Sequence, residues 1–202
     1  YSVERLDDIR IHLSRPDSLI LLSVLGLATG LLAGIVIVLF RLLVEGTQEY
    51  LLPGAGSENY EALSDGWRFV FPIVGAIAMA LMFRWAGNKV TVLGVASVME
   101  RMSYHQGHLS ERGFLLQFFG AAFAIISGHS VGREGPHIYL GAAAGSLMGQ
   151  YLSLPNNAIR TFVACGTAAG VAASFNTPLA GVIFALEVIM LEYTVASFIP
   201  VI

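Results

Sequence analysis

The chain has 202 residues, 55% hydrophobic and 12% charged, with a formal net charge of −3 at pH 7 and a mean hydropathy of +0.71. That balance is far too apolar for a soluble globular domain of this length and makes the chain an integral membrane protein. Its 11 Lys and Arg stand singly along the chain with no polybasic patch, which excludes a nucleic-acid surface.

Taken in order, Ser2 to Ser14 places Val3, Leu6, Ile9 and Leu13 three and four residues apart among charges, the pattern of an amphipathic helix lying on the membrane surface. Residues 1–15 form this unit and 16–202 the transmembrane part. Arg15-Pro16-Asp17-Ser18 combines a proline with capping residues, and Leu19 to Phe40 follows without a charge, long enough for a first span of about 20 residues. Positions 44 to 66 read as an acidic loop, with Glu45, Glu49, Glu58, Glu61 and Asp65 around Pro53-Gly54-Ala55-Gly56, on the outer face. A second apolar run, Phe69 to Phe83, is flanked by Trp67-Arg68 and Arg84-Trp85, with tryptophans where interfacial aromatics belong. Arginines 5, 10 and 15 and the later Lys89, Arg101 and Arg112 then fall on one side, so the positive-inside rule predicts a cytoplasmic N-terminus.

Three charge-poor blocks follow, Gly113 to Gly132, Gly135 to Ile159 and Thr161 to Leu186. Gly141, Gly145 and Gly149 recur every fourth position, as do Gly166 and Gly170, giving helices small faces on which neighbouring backbones approach closely. The apolar runs break at Gly132 to Pro136, Leu154 to Asn157 and Ser174 to Pro178. Irregular backbone at membrane depth is tolerated only where it is buried or lines a cavity, and broken helices suit transporters. Cys165 lies in an apolar run, has no second cysteine to pair with, and reads as a small packing residue.

Between Gly113 and Met190 only Arg133, Glu134, Arg160 and Glu187 carry formal charge, and the first two are adjacent. Ionisable groups at membrane depth are costly and mark a pathway by default. Pro136 fits the first turn of a helix running through Gln150, and the Gly-Arg-Glu-Gly lead-in lets the backbone turn sharply and bare its amides to an anion. Glu134 is itself an anion. Its carboxylate can fill such a site when ionised and leave it when protonated, which makes it a gate; the alternative is a helix-capping glutamate paired with Arg133. His129 and His137 flank the gate and read either as hydrogen-bonded structural residues or as groups that tune its protonation. His105 and His108 lack a third ligand, so no metal site is expected.

The run Gly132-Arg133-Glu134-Gly135-Pro136, with Gly128 and Ser130 before it, resembles the second signature of the CLC family of voltage-gated chloride channels and proton/chloride exchangers, whose glutamate is the external gate. The block from Gly166 to Glu187 is similar to the stretch that follows the gate in that family. The resemblance implies an all-α, polytopic fold with broken helices, the first repeat of an inverted-repeat bundle. It also implies chloride or another halide as the transported ion with no cofactor, and a homodimer in the cell membrane. The second half, which supplies further chloride ligands including a tyrosine hydroxyl, is not in this sequence. Tyr1 is not Met and the apolar run at Ile202 has no polar close, so we read a piece of a longer chain.

Two departures from the family pattern stand out. Where a filter serine is usual, the chain aligns Val92-Leu93-Gly94-Val95-Ala96, and Leu93 has no hydroxyl to offer an anion. At Glu187-Val188, the second position is a glutamate in proton-coupled members and commonly valine in channels, and Val188 carries no proton. Glu187 itself reads as a residue of the helix end or bundle surface. The expected function is a passively conducting anion channel gated by Glu134. Gly132, Arg133, Gly135, Pro136, His137 and Ile138 line its path, with Leu93, Gly94 and Val95 at the filter position. Proton-coupled exchange, of chloride or another halide such as fluoride, is the alternative. More distant are an intramembrane enzyme built on Glu134, His137 and Ser127 or Ser130, and a non-transporting relative.

Overall fold

The computed structural model describes residues 19–52, 59–87, 93–191 and 199–202. The expected surface helix over 1–15 and Lys89 lie outside the described residues. Within them the helices run α1 (Leu19–Leu51), α2 (Asp65–Ala86), α3 (Val95–Tyr104), α4 (Glu111–Ile126), α5 (Glu134–Tyr151), α6 (Asn156–Phe175) and α7 (Pro178–Phe184). A single 3₁₀ turn, Tyr60–Ala62, precedes α2, and α7 continues as a π-helix over Ala185–Met190. No β-strand occurs among the described residues.

Helices α1, α2 and α6 are long and apolar enough to cross a bilayer. The outer faces of α1 and α2 expose Leu27, Leu31, Ile35, Phe69, Ile73 and Leu81, a surface suited to hydrocarbon and not to water. In contrast α6 is enclosed, packing against α5, α1 and α7, while α3 packs on α5 and the π-helix.

The first span is longer than its charge-free run. We expected a loop from position 44, yet α1 continues to Leu51. Arg41 and Glu45 pair one turn apart at 3.3 Å, Thr47 donates to the Leu43 carbonyl, and the Gln48 amide turns inward to Tyr60 and the carbonyl of Ile125. Charges spaced to satisfy each other along a helix face extend it where an apolar count stops. The expected breaks at 132–136, 154–157 and 174–178 all fall at helix ends. Asn176 takes a left-handed φ of 55° after α6, Thr177 caps the next helix outside the helical region, and Pro178 opens α7.

The glycine spacing has the consequence expected of it. A β-carbon on Gly141 would overlap the carbonyl oxygen of Gly166, one on Gly166 that of Gly141, and one on Gly145 that of Phe162. At Gly170 a β-carbon would lie 2.7 Å from the His137 carbonyl oxygen. Helices α5 and α6 therefore touch backbone to backbone, and no flexible side chain stands between them to yield. Gly145→Ala is expected to cost about 2–3 kcal/mol by overpacking, read as a lower unfolding temperature of the full-length protein in detergent. Gly30→Ala, with open space around its α-carbon, leaves that temperature in place.

Candidate functional site at the start of α5

Helix α4 ends in a motif that turns the chain toward the site. The amide of His129 donates to the Ala124 carbonyl and that of Gly128 to Ile125, with Gly128 at φ 77°. This left-handed close favours glycine, because any side chain strains it. The chain then runs through Ser130, Val131 and Gly132 into α5, whose first helical residue is Glu134 behind an N-cap at Arg133.

Gly132 and Glu134 are exposed, Arg133, Gly135 and Pro136 half-buried, and His137 and Ile138 buried. The Glu134 carboxylate folds back over Gly132, so closely that a β-carbon on Gly132 would collide with Oε2. The expectation of bare amides from 132 to 138 is narrowed. Pro136 has no amide proton and His137 donates to the Arg133 carbonyl at 3.2 Å, which leaves the amides ahead of them as the open ones.

The Arg133 guanidinium reaches Glu45 Oε1 on α1 at 3.5 Å, and Arg41 reaches the same oxygen at 3.3 Å. Reasoning from sequence placed Glu45 in the outer loop and missed it here. The usable signal was the Arg41–Glu45 spacing of four, which extends the helix and carries the carboxylate toward the site. His137 sits with Nδ1 against Ser174 Oγ near the end of α6, and its ring stands edge-on to Phe40 at 5.4 Å. Nothing in the sequence links Ser174 to His137, 37 residues earlier; the α5–α6 glycine contact brings them together. His129 bonds Ser127 Oγ at 2.8 Å, and His108 the carbonyl of His105 at 3.2 Å. No group of three metal-ligating side chains occurs among the described residues.

The filter-position residues have different neighbours. Gly94, at φ 88°, is the N-cap of α3. Leu93 and Val95 pack half-buried on a cluster that holds Val98, Tyr139, Ala185 and Leu186, and Val188 packs on the same cluster. Glu187 is exposed. The structure thus brings Leu93, Val95 and Val188 into one apolar cluster, and Gly132 to His137 into a charged one against α1 and α6. Helix α5 joins them, with Glu134 in one and Tyr139 in the other. An open apolar groove of about 630 Å³ lies along α1, α6 and α7, lined by Gly26, Gly30, Gly34 and Val182. Neither group of site residues lines it.

Helices long and apolar enough to span a bilayer, beside broken ones packed on glycine contacts, define the class as a polytopic membrane protein. The arrangement superposes with a TM-score of 0.72 on a crystal structure of a CLC-type fluoride/proton antiporter, over 93% of this chain and 46% of that one, at 24% identity. The chain belongs to the voltage-gated chloride channel family, whose profile matches residues 74–202. A ClcB-like protein of Ralstonia nicotianae is 33% identical over 137 residues, 66% of this chain and 32% of the relative. The voltage-gated ClC-type chloride channel ClcB of Yersinia pseudotuberculosis is 27% identical over 185 residues, 89% of this chain and 44% of the relative. The chain spans less than half the length of these proteins.

The pairing of His137 with Ser174 is testable by stability alone. Ser174→Ala leaves a buried imidazole with neither nitrogen bonded and is expected to cost about 1–3 kcal/mol, seen as a lower unfolding temperature. Ser174→Thr, which keeps the hydroxyl, loses less.

Proposed function

We propose that the chain builds part of a membrane pathway for halide anions, chloride foremost, with the Glu134 carboxylate as its gate. The observation that carries this reading is the placement of Glu134. It is the first helical residue of α5, folded over Gly132, with Arg133 beside it and a buried apolar helix behind. Helix N-termini attract anions through open amides and a positive dipole end. An ionised carboxylate tethered there competes with a halide for the same donors; a protonated one does not. The remaining ligands come from the rest of the full-length protein, which pairs with a second copy of itself in the cell membrane and keeps its N-terminus cytoplasmic. Transport, and not catalysis, is the reading we favour. Ser127 donates to the Phe123 carbonyl and contacts His129, while His137 faces Ser174, so Ser127 is not paired with His137 as nucleophile and base.

Passive conduction is supported by Val188, a side chain without a proton site that packs against the same buried cluster as Leu93 and Val95. Proton-coupled exchange is the second reading. It is supported by the structural likeness to a protein described as a fluoride/proton antiporter, which also brings fluoride forward as a substrate. Leu93 at the filter position, with no hydroxyl to donate, fits a halide site built chiefly from backbone amides.

The gate is tested on the full-length protein in liposomes. Chloride efflux rises as external pH falls, and in Glu134→Gln it is high and flat across pH; an unchanged pH response in that variant refutes the gate. Imposing a chloride gradient with no proton gradient separates the two readings. Chloride movement without linked protons means a channel, and protons driven uphill mean exchange by a route that bypasses Val188.

A further inference from the structure

His137 lies three residues after Glu134 on α5 and is 2% exposed. Its Nδ1 meets Ser174 Oγ, and the Ser174 hydroxyl donates to the Gly170 carbonyl at 2.9 Å. A hydroxyl has one proton to give, so Ser174 accepts from His137: the imidazole proton is on Nδ1 and Nε2 carries the lone pair. That Nε2 is buried and has no hydrogen-bond partner among the described residues. A buried acceptor without a donor is costly and calls for an explanation.

The charged groups around the ring are Arg41 and Glu45 from α1 and Arg133 and Glu134 from its own helix; α6 contributes the uncharged Ser174. Glu45 Oε1 already accepts from both arginines. Glu134 is the group that turns from acceptor to donor on taking a proton. Residues three apart on a helix are neighbours, about 5–6 Å between β-carbons. Helical side chains also lean toward the N-terminus, so His137 reaches back over the turn that carries Glu134.

We propose that His137 Nε2 is the acceptor on which the protonated gate docks. An ionised Glu134 has no proton to offer a neutral imidazole and remains folded over Gly132 at the helix start. Once protonated, it donates its O–H to Nε2, satisfies the buried lone pair and leaves the anion's place. The carboxyl proton stays on Glu134 throughout; one hydrogen bond forms and no covalent bond changes. His137 is a positioning residue that sets how readily protonation opens the path.

This inference rests on Glu134 being the gate, and the experiment separates the two. Chloride efflux from liposomes holding the full-length protein is titrated against external pH. His137→Phe keeps a ring beside Phe40 and removes the acceptor; the midpoint of acid activation should move about one pH unit lower, a tenfold loss of the open population. His137→Gln, which returns an acceptor to the same reach, should restore most of that shift and serves where the phenylalanine variant does not fold. A midpoint unmoved in His137→Phe, or moved equally in both variants, overturns the role of Nε2. A pH response that survives in Glu134→Gln overturns the gate itself. A merely structural role changes the size of the flux at every pH without moving the midpoint.

Discussion

The contact between the backbones of α5 and α6 is the constraint from which the site follows. Inside a bilayer apolar side chains gain little by leaving lipid for protein, so helices associate through close packing and interhelical hydrogen bonds. Gly141, Gly145 and Gly166 permit an approach that any β-carbon would obstruct, and Gly170 continues it against the carbonyl of His137. With that register set, Ser174 falls beside His137 and the first turn of α5 is fixed against the last turns of α6. The small faces and the charged turn are one arrangement, because the second is positioned by the first.

The charges around the turn are arranged so that one carboxylate serves two arginines. Glu45 meets Arg41 from its own helix and Arg133 from the start of α5, each pair partly exposed. Pairs of this kind contribute little to stability, about 0–1 kcal/mol, and their effect is on where charge is held. Tying Arg133 to α1 leaves the Glu134 side chain to fold over Gly132, where the absence of a side chain gives it room. Arg133 pairs with Glu45 on α1 and not only with its own turn.

Much of this was legible because it depends on short-range chemistry. The three breaks in the apolar runs, the glycine spacing and the start of α5 at Gly132 to Pro136 follow from local rules about proline, glycine and burial, and each falls at a helix end or helix contact. The extent of α1 was misjudged because charge was read as a loop signal; the pairing of Arg41 with Glu45 and the inward turn of Gln48 reverse that meaning. The partners of His137 were out of reach for a different reason. Phe40 and Ser174 come from elements 97 and 37 residues away, and only the packing of three helices brings them to one ring. The meeting of Leu93, Val95 and Val188 in one apolar cluster is equally non-local. The sequence pointed to each as a departure from a family pattern, without any sign that the departures share one cluster.

Tyr60, in the short turn between α1 and α2, has a consequence for the field at the site. Its hydroxyl lies 2.8 and 2.9 Å from the carbonyl oxygens of Ile125 and Ile126, and the Gln48 amide joins it at the first of them. These carbonyls are the negative pole of α4, which ends a few residues before Arg133. Dressed with donors from two other elements, that pole is blunted where the chain crosses to the next helix. The carbonyl end of α4 is thus satisfied by side chains from α1 and from the short turn after it, and it does not face the charged start of α5 bare.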